Sequence, residues 1–264
     1  MSYFLAELSK LVGQPAVRAG SVVTVVAPAV IAALNGTSLA HAIEMGDQGA
    51  FLSLSTVDSG FSELAIGVVG VLIIAVVSVS SEYARTPAAL GRTRQLSSTL
   101  VAMPVRTALA GAKIAVLVAW VLAISLVAIP AALVATRLSL GSHATAPNLW
   151  HAAGVAAFYL TMALLAQAVT TVLRSGILPL VIFLANSSVV SVGMLLLQVT
   201  SWAKYLPDIA ATSLMFTESE FTTGAAAVSR NSAPLGAATA VCVLLGWSAL
   251  SVAVTVAVWA RRDA

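Results

Sequence analysis

Charge is scarce in this chain. Asp, Glu, Lys and Arg together make up 9% of its 264 residues, and 59% are hydrophobic, whereas soluble domains carry about 25% charged residues. With a mean hydropathy of +1.00, a water-soluble globule is excluded, and so is a large soluble domain, because no stretch of ordinary composition is long enough to build one. There is one cysteine, Cys242, so no internal disulfide exists. Histidine is limited to His41, His143 and His151, on outer loops or span ends. No ligand spacing joins them into a metal site, and they read as solvated loop residues. A Gly-x-x-x-x-Gly-Lys-Ser/Thr phosphate loop, a His-Glu-x-x-His pair and a Gly-x-Ser-x-Gly elbow are all missing. Chemistry that needs a nucleotide-binding domain must therefore come from another chain. No internal repeat or low-complexity tract is visible.

What the chain does contain is apolar runs. One membrane helix needs about 20 mostly apolar residues. Hydropathy predicts six spans, near 16–34, 61–80, 112–136, 150–173, 177–199 and 235–260. The expected fold is an all-α integral membrane protein forming a single transmembrane domain over 1–264. Charge sets the orientation. With the N-terminus cytoplasmic, Lys10, Arg18, Arg85, Arg92, Arg94, Arg106, Lys113, Arg174, Arg261 and Arg262 fall inside, 10 of 13 basic residues, and seven of ten acids fall outside. An even number of spans returns the C-terminus to the same side. A rival reading takes Leu39-Ala40-His41-Ala42 as a signal-peptide cleavage site, but the segment before the apolar run is long and includes Glu7.

Charged residues are nearly absent inside the spans. Glu63, Lys113 and Arg18 sit at span ends, placed to snorkel to the interface. This argues against a proton relay or a voltage sensor. Gly67 and Gly70 in the second span, and Gly236, Ala240 and Gly246 in the sixth, have the small-residue spacing that lets helices pack closely. Neutral polar residues are the remaining candidates for a translocation path: Gln167, Asn186, Ser187, Ser191 and Gln198. Close packing is the simpler account of such residues. The outer loops are expected at 35–60, 138–149 and 200–234. In the last, Ile209–Phe216 reads as a short helix on the outer interface.

The inner loop between spans two and three, Ser81–Gly111, is long and basic. Basic loops bind anionic lipid, but this one also has internal order. Gln95–Met103 can form a short helix, with Ser97, Ser98 and Thr99 beside Leu96, Leu100 and Val101, and Pro104 stops it. The chain carries Glu82-Tyr83 at the end of span two, then Thr99-Leu100-Val101-Ala102-Met103-Pro104-Val105-Arg106, then Ala112-Lys113 leading into span three. Glu7-Leu8-Ser9-Lys10 precedes span one, Arg174-Ser175 turns between spans four and five, and Tyr205-Leu206-Pro207 begins the outer segment before span six. In this order and placement the sequence resembles permease subunits of type-2 ABC exporters. It departs from compact members in a longer stretch, Thr86–Leu96, with Gly91-Arg92-Thr93 inside it.

The resemblance implies an amphipathic N-terminal entry helix, a cytoplasmic coupling helix between spans two and three, and a bacterial cytoplasmic membrane location. It implies a cytoplasmic ABC ATPase dimer and a second permease copy or paralogue as partners, with membrane lipids around them and no nucleic acid. ATP and Mg would sit on the partner ATPase, and this chain would hold no cofactor and catalyse no reaction itself. The residues it assigns to ATPase coupling are Glu82, Arg85, Arg92, Arg94, Ser98, Thr99, Leu100, Pro104 and Arg106. The resemblance leaves the cargo open, and it is the apolar, neutral spans that favour an amphiphilic or hydrophobic one: a drug, a peptide or a lipid. The alternatives are an ATP-independent carrier or channel, which often shows repeated halves or interrupted spans, and an intramembrane enzyme, which needs a convergent polar cluster.

Overall fold

The computed structural model describes residues 3–46, 60–83, 106–186, 192–216 and 234–261, with Arg106 described by its backbone alone. Among these residues the chain is all helical, with no strand. The helices are α1 (Tyr3–Gly13), α2 (Pro15–Met45), α3 (Phe61–Tyr83), α4 (Arg106–Leu140), α5 (Leu149–Leu173), α6 (Ile177–Asn186), α7 (Val192–Val199), α8 (Pro207–Met215) and α9 (Ala237–Arg261). Helix α3 passes through one 3-10 turn at Ala65–Gly67 and ends in another at Ser81–Tyr83. Five helices are long and apolar enough to cross a membrane: α2, α3, α4, α5 and α9. The run expected as a fifth span, 177–199, is described as α6 and α7 on either side of 187–191, which lie outside the described residues.

Two spans are longer than hydropathy suggests. Helix α2 continues past Leu34 to Met45, so the outer loop begins about 11 residues later than expected. Its polar continuation stays helical because Thr37 and Ser38 donate their hydroxyls to the Leu34 carbonyl and Asn35 is anchored to α3. The helix stops at Gly46, whose φ of +67° is the left-handed conformation that glycine adopts without a Cβ penalty. At the other end, extended Gln14 separates α2 from α1, and Pro15 takes the first-turn position where its missing N–H costs nothing. Helix α4 starts six residues before the expected Ala112 and runs to Leu140. Its 35 residues span ~52 Å, well beyond a ~30 Å hydrocarbon core.

Helices α3 and α5 form the interior, with 56% and 61% of their most apolar windows buried, whereas α9 has 17% and borders the outside. Lipid tails are as apolar as leucine, so close van der Waals approach must hold such helices together. Glycine supplies it. A methyl group on Gly20 of α2 would lie 2.8 Å from the Gly70 carbonyl oxygen of α3. Gly67 leaves room for the Tyr159 hydroxyl, which donates to the Leu64 carbonyl. Polar bonds add to the packing: Trp120 Nε1 to Ser21 Oγ at 3.2 Å, and Thr161 Oγ1 to Ser248 Oγ at 3.1 Å. Gly67 and Gly70 are thus packing residues. Gly236 and Gly246 are not, because open space surrounds them. Helix α8 falls within the segment expected as a short helix and packs against the bundle. Ile209, Ala210, Ala211, Leu214 and Met215 are all buried, and Gly154 of α5 lets the Leu214 backbone approach.

Candidate functional site

The densest set of charges among the described residues lies where α1, the end of α3 and the start of α4 meet. Helix α1 is short, and it turns Glu7 and Leu11 inward while Phe4, Leu5 and Val12 stay exposed. That inward face carries Glu7 to Lys113 of α4, with 2.6 Å between Oε2 and Nζ. Lys113 also reaches Glu82 of α3 at 2.9 Å. Lys10 closes the set, at 3.0 Å from Glu7 and 3.3 Å from Glu82. Two carboxylates and two ammonium groups therefore alternate, with formal charge zero. Side-chain exposures are 5% for Glu7, 1% for Glu82, 3% for Lys113 and 29% for Lys10. Gln14 extends the contact by donating from Nε2 to Ser81 Oγ at 3.0 Å.

Burying charges is costly unless each is paired and hydrogen-bonded. The alternation meets that condition, since every ammonium touches two carboxylates and every carboxylate two ammoniums. For Lys10, burial works against the charged form. The hydrogen bond with Glu7 and the negative charges of Glu82 and Glu7 outweigh it, and its pKa is raised above the ordinary 10.5. The cavity inside the cluster holds only about 10 Å³, roughly the limit for one water molecule. No substrate fits there. The arrangement joins α1, α3 and α4 through one set of ion pairs.

This corrects two readings of the sequence. Lys113 does not snorkel. Its helix continues for nearly two turns before it, so the ammonium is surrounded by protein and meets carboxylates instead of water. Glu63, at the other end of α3, is 2% exposed and does not snorkel either. It accepts from Asn35 Nδ2 at 2.8 Å, the Gly60 N–H at 2.9 Å and Ser62 Oγ at 2.7 Å. The Gly60 contact needs a φ of +98°, which glycine supplies. Arg18 is exposed and caps α1, donating from Nε to the Val12 carbonyl and from Nη2 to the Gly13 carbonyl.

Of the residues assigned to ATPase coupling, Glu82 is the one whose side chain is described, and its carboxylate is engaged within the chain. Arg85, Arg92, Arg94, Ser98, Thr99, Leu100 and Pro104 lie outside the described residues, as does the segment Gln95–Met103, and Arg106 opens α4. Gln167 is fully buried in α5, with neither amide atom hydrogen-bonded to any of the described residues. Asn186 ends α6 and accepts from the Val192 N–H at 3.1 Å. Gln198 is exposed on α7. Ser187 and Ser191 lie outside the described residues.

The histidines are also distributed differently from the solvated-loop reading. His41 and His143 are exposed, but His151 is 7% exposed, edge-on to Phe61 at 5.5 Å and 3.4 Å from Asn148 Nδ2. No group of three or more His, Cys, Asp or Glu able to hold a metal ion occurs among the described residues.

The sequence did not single out Glu7, Lys10 or Lys113 as partners of Glu82. One signal was available. In the orientation expected from the sequence, Glu7 and Glu82 are two of the three acids on the basic side, and an acid displaced in this way needs a nearby cation. Compared with known protein families, with characterised proteins and with solved structures, the chain shows no significant match.

Proposed function

We propose that this chain is the membrane-spanning permease subunit of an ATP-driven exporter, worked by a separate pair of cytoplasmic ABC ATPases. Both termini and the 84–105 loop would face the cytoplasm of a bacterial cell, and a second permease copy or paralogue would complete the pore. The observation that carries this reading is the ion cluster. The end of α3 and the start of α4 bracket the basic loop, and Lys113 ties both of them to α1. A partner pushing on that loop would move the entry helix and spans two and three together instead of bending one connection.

In this reading ATP and Mg belong to the partner, and the chain supplies movement and the route. ATPase closure shifts the fastened unit, the inner ends approach, and the outer ends part. The cycle drives a cargo whose affinity differs between the two states, and the apolar spans suit an amphiphilic or hydrophobic one.

The test is to tag the chain, express it with its neighbouring genes, solubilise it gently and identify what copurifies. The expected partner is an ATPase with a phosphate loop, in roughly equal amount. Leu100→Asp or Thr99→Asp should release that ATPase or uncouple hydrolysis from transport. A folded chain that purifies alone, with no ATPase encoded nearby, would defeat the proposal. Normal copurification and transport in both variants would move the docking surface elsewhere.

A further inference from the structure

Helices α4 and α5 leave a groove of about 710 Å³ between them, at the end of the bundle away from the ion cluster. That volume lies in the range of sites that take small organic ligands, ~300–1,000 Å³. The groove exists because the α5 wall is made of small residues, Ala152, Ala153 and Ala156, facing Leu126, Ile129 and Leu133 of α4. It is open to the side: Leu126, Val134 and Leu149 are 77%, 55% and 80% exposed.

Its polar groups are few and mostly occupied. Ser125 and Thr136 donate to the carbonyls of Val121 and Ala132 in their own helix. Arg137 is the sole ionisable residue among those lining the groove, and its side chain is exposed. The position of Arg137 along α4 is informative. It lies 24 residues from Lys113, or ~36 Å at 1.5 Å per residue, slightly more than a ~30 Å hydrocarbon core. Arg137 stands in the last turn of α4, at the end away from the ion cluster, where a long basic side chain reaches toward the headgroups. From Arg137 down to Leu126 is 11 residues, or ~17 Å, about the depth of one leaflet.

We propose that this groove binds an anionic phospholipid, with an acyl chain lying along Leu126–Leu133 and the phosphate paired with Arg137. An apolar channel one leaflet deep, open toward the bilayer, with one cation at its headgroup end, is complementary to that shape and charge. The proposal does not depend on the transporter reading. Binding of the lipid with no ATPase present would leave it standing.

Native mass spectrometry of the purified chain, titrated with phosphatidylglycerol or phosphatidylcholine of matched chains, tests it. Wild type should retain phosphatidylglycerol about fivefold better, the ratio that corresponds to about 1 kcal/mol for one basic residue at a membrane surface. Arg137→Gln should remove the preference while leaving residual binding of both lipids. Ala153→Trp, at an exposed position, should fill the groove and abolish retention of both. Its folding is checked by an unchanged melting temperature, and Ala156→Leu is the second filling variant. Equal retention of the two lipids by wild type, or a preference that survives Arg137→Gln, overturns the proposal. So does a dimer cross-linked through Ala153→Cys in a Cys242→Ala background, because a second copy would then occupy the groove.

Discussion

Gly20 and Gly70 meet backbone to backbone. A methyl group on the first would lie 2.8 Å from the carbonyl oxygen of the second, and a methyl on the second would run into the Gly20 carbonyl and the Thr24 side chain. The crossing of α2 and α3 is therefore set by the absence of two side chains.

Gly70→Ala should destabilise the folded protein by about 1–3 kcal/mol, the usual cost of overpacking. Gly246→Ala, in open space on α9, should instead raise stability by about 0.4–1 kcal/mol, because alanine is the better helix former. Thermal unfolding in one detergent compares them. Equal effects would mean that the close approach of α2 and α3 is not what holds the helices together.

Lys113→Met leaves Glu7 and Glu82 buried, each with Lys10 as its remaining cation. Removing one member of a buried charge pair costs about 3–5 kcal/mol, and a loss in that range is expected in denaturant unfolding in mixed micelles. Adding Glu7→Gln to Lys113→Met should cost less than the sum of the two single changes, by about 0.5–3 kcal/mol of coupling. Strict additivity would show that the two groups do not interact.

Lys10 gives the cluster a dependence on alkaline pH. Its folded pKa is raised above 10.5, so folding favours the protonated form. The stabilisation is complete below the unfolded value and is lost as pH rises through the folded one. Melting temperature followed from pH 8 upward should show wild type more stable than Lys10→Gln, with the gap closing only above about pH 10.4. A gap that closes below pH 9 would contradict the pairing.

Gln167 is fully buried, and neither of its amide atoms hydrogen-bonds to any of the described residues. Leaving a buried polar group unmet costs about 1–3 kcal/mol, so Gln167→Met, of similar length and shape, should raise stability by that order. Transport measured alongside gives the role. Unchanged transport would make the amide a packing residue, and lost transport in a more stable protein would place it on the translocation path. No gain in stability would show that the amide is satisfied in the folded protein.

Much of the architecture was legible in the sequence, since five apolar runs became helices of spanning length and Gly67 and Gly70 became contacts. Helix ends were less legible. Hydropathy ends a span where polar residues begin, but Asn35, Thr37 and Ser38 hydrogen-bond locally or to α3 and extend α2 beyond that point. The buried charges were least legible. Snorkelling and ion pairing demand the same thing of a sequence, a charge near the end of a span. What separates them is the partner, and Lys113 finds Glu7 106 residues away. Glu63 did leave a local trace, because it stands three residues after Gly60, the position from which a glutamate reaches back to the N–H of the N-cap residue.

The same sequence separation has a consequence for synthesis. Glu7 is translated 106 residues before Lys113, and at about 5–20 residues per second that leaves an interval of ~5–20 s. During this interval Lys10, three residues along the same helix, and water are the available partners of Glu7. Glu82 arrives before Lys113 as well, by 31 residues, so two carboxylates await the same ammonium. Helix α1 can meet the end of α3 through Lys10 and Gln14 before then, but the cluster closes only when Lys113 of α4 arrives. A nascent chain stopped short of residue 113 carries two acids of the cluster, Glu7 and Glu82, with Lys10 as the one cation of the cluster to meet them.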